Sequence, residues 1–201
     1  MMRISTICFA AAVAFALPTQ AANIGAPAPQ FTGADSNGTS HKLSDYAGKT
    51  VILEWTNNQC PYVGKQYGTG NMQTLQAEAV AQGVVWLSVV SSAPGLDGYV
   101  TGPQENEVLK ERAAHPTAVL LDPEGRIGVA YSAKTTPHMY IIDASQTLVY
   151  QGAIDDQPTS NWDSVKGAKN YVRQALAEMK AGKPVSEPQT KSYGCSVKYG
   201  S

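Results

Sequence analysis

The chain has 201 residues, 43% of them hydrophobic, with 15 basic against 16 acidic side chains and a formal net charge of −1. That length and composition suit one well-buried core better than two. The balanced charge argues against a nucleic-acid-binding surface, and the chain lacks internal repeats, heptads and the glycine-rich phosphate loops GxxxxGK[ST] and GxGxxG.

Met1 to Arg3 is short and basic, Ile4 to Leu17 is apolar, and Thr19-Gln20-Ala21 ends in a small residue. This pattern predicts a secretory signal peptide over residues 1–22. The apolar run falls short of the ~20 residues of a membrane span, so a soluble exported protein without a membrane anchor is expected. Cleavage would remove Cys8 and Arg3, leaving 14 basic and 16 acidic residues and two cysteines, Cys60 and Cys195. An even pair in an exported chain meets oxidising conditions, and a Cys60–Cys195 disulfide is expected.

Residues 23–49 are rich in Gly, Pro, Ser and Asp, with a turn at Ser36-Asn37-Gly38, and read as an N-terminal arm or hairpin. Val51 to Trp55 is the first strand. Cys60 then opens a helix whose first turn accepts Pro61. Gly64, Gly68 and Gly70 predict a break after one or two turns and a restart at Asn71, with Met72, Leu75, Ala79 and Val80 on the apolar face. Val84 to Val90 reads as a buried parallel strand.

Thr101 and Gln104 have capping-box spacing and predict a helix to about Ala114. Ala118 to Leu121 is a strand, followed by a turn over Asp122 to Gly125. His138 to Ile142 and Thr147 to Gly152 form a hairpin, and Ala168, Tyr171, Val172, Ala175, Leu176 and Met179 place a helix over residues 167–180. Residues 183–201 form a polar tail carrying Cys195. Strands alternating with helices imply an α/β sandwich around a mixed sheet.

Cys60 is the most informative residue, because a thiol at a helix N-terminus lies beside unpaired backbone N–H groups that favour the thiolate. In the tetrad Cys60-Pro61-Tyr62-Val63, a dithiol oxidoreductase would carry a second cysteine where Val63 stands. Tyr62 is placed to shield the sulfur or to touch a substrate.

The strand, this tetrad, its helix, and Thr136-Pro137 before the hairpin resemble the thioredoxin fold, and within it the exported redoxins related to alkyl hydroperoxide reductase and thiol antioxidant proteins. The resemblance spans about Gly25 to Lys180. It implies a three-layer sandwich over residues 23–182, a cis Thr136–Pro137 bond presenting backbone to a substrate, and Glu54 as a buried proton acceptor beneath the sulfur. Val63 leaves Cys195 as the resolving cysteine. Fifteen residues separate it from Lys180, enough chain to reach about 50 Å.

Peroxiredoxins place a hydroxyl residue three positions before their reactive cysteine and a proline further upstream; Asn57 and Leu53 stand there, and the strand at Pro137 and His138 has no arginine. The pattern therefore favours thiol-disulfide exchange over peroxide reduction, with no cofactor or metal required. Its partners would be a thiol or disulfide protein substrate and a separate redox partner. Other readings stay open: a permanent Cys60–Cys195 staple on a binding protein, or Cu(I) held by Cys60, Cys195 and His138. His138 itself, and Arg126, read as packing or surface residues.

Overall fold

The computed structural model describes residues 22–200. The expected leader, apart from Ala22, and Cys8 lie outside the described residues. The elements in chain order are β1 (Thr32–Asp35), β2 (Ser40–Lys42), β3 (Val51–Trp55), α1 (Pro61–Gly68), α2 (Asn71–Ala81), β4 (Val85–Val90), α3 (Gly102–Glu111) and β5 (Ala118–Leu121). They continue with α4 (Arg126–Ala130), β6 (Thr135–Thr136), β7 (His138–Ile142), β8 (Leu148–Gly152), α5 (Tyr171–Lys180) and β9 (Cys195–Ser196).

A seven-stranded sheet runs in the order β2-β1-β5-β4-β3-β7-β8, and β6 and β9 form a separate two-stranded ribbon. β3 is parallel to β4 and antiparallel to β7, and β4 is parallel to β5, which makes the sheet mixed. Alternation along β3 divides the core. Val51, Leu53 and Trp55 face a cluster with Phe31, Leu43, Ile127 and Tyr131, whereas Ile52 faces Cys60, Val63, Met72, Leu75, Val172 and Ala175 of α1, α2 and α5. Side chains thus cover both faces of the central strand.

Each boundary that differs from the sequence expectation has a local cause. The turn after β5 runs on into α4 because the Asp122 carboxylate accepts the backbone N–H groups of Ile127 at 3.2 Å and Gly128 at 2.9 Å. α5 begins at Tyr171 rather than at residue 167, since the Asn170 side chain caps it by accepting the Arg173 N–H at 2.9 Å. α3 stops at Glu111, short of Ala114.

The C-terminal tail is docked along its length. Gln151 N–H donates to Pro188 O at 3.0 Å and Thr190 N–H to Gln151 O at 3.1 Å, so the tail lines β8. Beyond β9, Val197 N–H donates to Lys134 O at 3.0 Å, Ala93 N–H to Lys198 O at 2.9 Å, and the Tyr199 hydroxyl to Ala133 O at 2.8 Å.

Leu53 is fully buried in the strand that leads to the cysteine loop. Leu53→Ala should cost about 2–5 kcal/mol, read as a lower urea midpoint at unchanged slope.

Candidate active site

Five residues connect β3 to α1, and Asn57 shapes this loop. Its Oδ1 accepts the Gln59 N–H at 2.8 Å, its Nδ2 donates to Asp97 O at 3.1 Å, and its carbonyl accepts the Cys60 N–H at 3.2 Å. Gly98 has φ +81° and no room for a Cβ against the Asn57 side chain. The position that carries a hydroxyl in peroxiredoxins is therefore used here to hold the loop. Arg112 of α3 closes it from the other side, donating to Asn58 O at 3.0 Å while its guanidinium lies 4.6 Å from the Tyr67 ring centre.

Cys60 is the N-cap residue of α1 with Pro61 next to it, and its carbonyl accepts the Gly64 N–H at 2.8 Å. Its sulfur meets the other predicted residues directly. The thiol donates to Thr136 O at 3.1 Å, and the Thr136–Pro137 peptide is cis. β6 pairs antiparallel with β9, and the register sets Thr136 opposite Cys195. Both cysteines are free thiols, and Cys195 packs against the buried cluster that includes Cys60.

The pair is electrically unequal. Burial acts to raise the Cys60 pKa, but hydrogen bonds from the Cys195 thiol, from Thr136 and from backbone groups outweigh it, and the value falls below that of an ordinary thiol. Burial, with the hydrogen bond to Cys60 and the charge on it, pushes Cys195 up to about 12. Cys60 therefore gives up its proton more readily than Cys195.

Cys60 is only 2% exposed. Tyr62 packs against Tyr193 of the tail, ring centres 5.9 Å apart, and so helps cover the site. Tyr193 is tied in turn to residues that sequence reasoning missed. The fully buried Lys65 Nζ donates to Gln157 O at 2.9 Å and to the Tyr193 hydroxyl at 3.4 Å, with Asp155 Oδ1 3.9 Å away. The Tyr193 hydroxyl also donates to Asp155 Oδ1, whose other oxygen accepts Gln66 Nε2 at 2.6 Å. Burial lowers the Lys65 pKa and Asp155 opposes that shift. Nothing in the sequence spacing marks this cluster, because its members come from α1, the segment after β8, and the tail.

Glu54 is fully buried on the Cys60 side of the sheet, yet the two share no hydrogen bond. Its carboxylate accepts from Tyr67 at 2.9 Å, Gln76 at 3.2 Å, Trp86 at 2.8 Å and Ser88 at 2.9 Å, which ties α1, α2 and β4 together. Burial raises its pKa and these four donors oppose the rise. A proton has no direct bond along which to pass between Glu54 and Cys60.

His138 pairs in register with Trp55 on the opposite face of the sheet, and its ring lies tilted against that of Tyr140, centres 4.5 Å apart. Burial, with Lys134 nearby, pulls its pKa down to about 4, so it is neutral at pH 7. The three-residue copper set with Cys60 and Cys195 is not assembled. Among the described residues no group of three or more His, Cys, Asp or Glu side chains is placed to hold a metal ion, and no helix is long and apolar enough to cross a membrane.

A mixed sheet with a cysteine at the start of a helix, facing a cis-proline, defines a thioredoxin-like protein. The chain belongs to the AhpC/TSA family, which it matches over residues 24–151. It is 30% identical over 115 residues to the thiol-disulfide oxidoreductase ResA of Geobacillus thermodenitrificans (strain NG80-2), an overlap covering 52% of this chain and 66% of the relative. An uncharacterised conserved protein from Geobacillus kaustophilus superposes with a TM-score of 0.77 at 26% identity, over 89% of this chain and 93% of its own. A putative thiol:disulfide interchange protein DsbE from Chlorobium tepidum gives 0.53 at 25% identity, over 65% and 84%. The family match ends before Cys195.

Two predictions follow from this geometry. Gly194 has φ +130°, and a Cβ there would overlap the Thr136 carbonyl oxygen. Gly194→Ala should push β9 off β6 and speed alkylation of Cys60 by iodoacetamide by about tenfold or more, as expected when a local opening is made easier by ~1.4 kcal/mol. An unchanged rate would show that β9 does not shield the sulfur. Glu105, in the first turn of α3, is buried, which raises its pKa to about 7 against the pull of Arg112 and with help from Glu54. The folded state thus binds that proton more tightly than the unfolded chain does. The resulting stability is fully present below about pH 4.5 and is lost as pH rises through about 7. Glu105→Gln should flatten this part of the profile in urea unfolding between pH 4.5 and 8; parallel profiles for the two proteins would refute the assignment.

Proposed function

We propose that this protein is an exported thiol-disulfide oxidoreductase in which Cys60 is the nucleophile and Cys195 the resolving cysteine. The observation that carries this reading is the β6–β9 register, which sets Cys195 opposite Thr136, the residue whose carbonyl meets the Cys60 sulfur, and packs it against the cluster that holds Cys60. The similarity to the thiol-disulfide oxidoreductase ResA and to the putative thiol:disulfide interchange protein DsbE supports the same class of reaction.

In the proposed cycle β9 lifts from β6 and a substrate disulfide reaches Cys60. The Cys60 thiolate forms a bond to one substrate sulfur, the substrate S–S bond breaks, and its other sulfur leaves as a thiolate. Strand β9 then returns. Cys195, after losing its proton to the departing thiolate or to water, attacks Cys60, forming Cys60–Cys195 and releasing the second substrate thiol. Two electrons pass from the cysteine pair to the substrate, and a separate dithiol or pair of thiols restores the starting state.

Thr136 and Pro137 present backbone to the substrate in this scheme, Pro61 sets the start of the helix, and Tyr62 borders the approach. We assign Glu54 a positioning role, since its four donors fix the two helices beneath the sulfur. The basic-then-apolar leader supports a reaction outside the cytoplasm. Asn57 and the absence of an arginine near Pro137 favour disulfide over peroxide as the oxidant.

Cys60→Ala should abolish exchange with a model protein disulfide, a loss of about 10³-fold or more. Cys195→Ala should instead accumulate a mixed disulfide on Cys60, visible by intact mass after acid quench. Wild-type turnover in both variants would overturn the mechanism.

A further inference from the structure

We infer that when the pair is oxidised, the reducing agent is a small polar thiol that attacks Cys195, through a groove beside the tail, and not Cys60. The step presupposes the thiol-disulfide reading of the site and identifies where electrons come in.

The two sulfurs differ in access. Cys60 is 2% exposed, closed over by β9, the Thr136 carbonyl and the Tyr62–Tyr193 contact, whereas Cys195 is half-buried. A groove of about 470 Å³ runs alongside, lined among others by Thr135, Asp155, Tyr171, Thr190, Tyr193 and Gly194. Gly194 precedes Cys195 directly, and Thr135 precedes its strand partner Thr136, so the groove runs beside β9 next to the residue with the more exposed sulfur. Its volume fits a small molecule or a very short peptide, and its hydroxyls and carboxylate suit polar groups. The edge of β6, where an extended peptide would add as a strand, is already taken by β9. With the tail docked, the open side of the pair is the half-buried Cys195, and an extended chain finds the β6 edge filled.

The chemistry of departure agrees with the geometry. A donor thiolate bonds to Cys195 Sγ, the Cys60–Cys195 bond breaks, and the electron pair leaves on Cys60 Sγ at the start of α1. Cys60 is the N-cap of α1, where unpaired backbone N–H groups favour the charged sulfur, and a sulfur of lower pKa leaves faster. Attack on Cys60 would instead expel Cys195, which sits in the two-residue strand β9 and not at a helix N-terminus. A second donor thiolate then attacks the donor sulfur of the mixed disulfide. It forms the donor disulfide and releases Cys195, which takes a proton from water. Two donor thiols supply the two electrons that restore both cysteines.

The test oxidises the full mature chain, checks by intact mass that two hydrogens are lost, and adds glutathione as the probe. Samples quenched at early times with acid and blocked with N-ethylmaleimide are mapped by peptide mass spectrometry. The expected result is glutathione on Cys195 and maleimide on Cys60, in at least about tenfold excess over the reverse pattern. Adducts mainly on Cys60, or in comparable amounts on both, overturn the inference while leaving the oxidoreductase reading standing. If oxidation forms no Cys60–Cys195 bond at all, the oxidoreductase reading itself falls and this inference goes with it.

Discussion

Two backbone-paired residues from each of two distant segments set the geometry of the site. β6 holds Thr136 against the Cys60 sulfur, and β9 sets Cys195 opposite Thr136. An isolated two-residue pairing contributes little by itself, since a hydrogen bond nets only about 1 kcal/mol. It persists because both partners are held elsewhere: β6 leads directly into β7, a strand paired on both sides in the large sheet, and β9 lies between Tyr193 and Val197, each anchored to the body of the protein. The second sulfur that the Cys-Pro-Tyr-Val tetrad lacks is thereby supplied 135 positions later in the chain.

The polar groups buried under α1 serve this arrangement at some cost. A buried ion pair regains its desolvation only with good geometry and further hydrogen bonds. Lys65 and Asp155 are not in close contact, but Tyr193, Gln157 and Gln66 satisfy them, and Tyr193 belongs to the tail. The cluster therefore locates Cys195 from two residues away. On the sheet side of the same helix, Glu54 collects four donors from three elements. The helix that bears Cys60 at its start is fixed through charged and hydroxyl groups as well as through apolar packing, and such contacts are directional, which a sulfur that must meet a particular partner requires.

Much of the framework was legible in local sequence. Val51 to Trp55 is a compact β-branched and aromatic run, Pro61 can only begin a helix, and Gly70, with φ +75°, separates α1 from α2 where the glycines predicted a break. Cys60 as the N-cap could be read for the same reason. The tail could not. Tyr193-Gly194-Cys195 carries no strand pattern, since β9 exists only because the edge of β6 is available, and α4 forms because a carboxylate in the preceding turn reaches two backbone amides. Glu54 shows how spacing finds a residue without finding what it does. Six positions before the cysteine placed it on the correct face, but only the three-dimensional neighbours reveal that its oxygens are already engaged. For His138 the period-two rule sufficed to turn it away from Cys60.

The length of tail that runs beside β8 has a consequence separate from the chemistry. β8 is the last strand of the large sheet, and Pro188 to Thr190 bond to its Gln151 amide and carbonyl. A bare outer strand is a template on which a second molecule can polymerise. Release of the whole tail would uncover that template, whereas lifting Cys195 and Ser196 alone leaves it sheathed. The same peptide thus covers an edge open to aggregation and, past the Tyr193 anchor, carries Cys195 to the site.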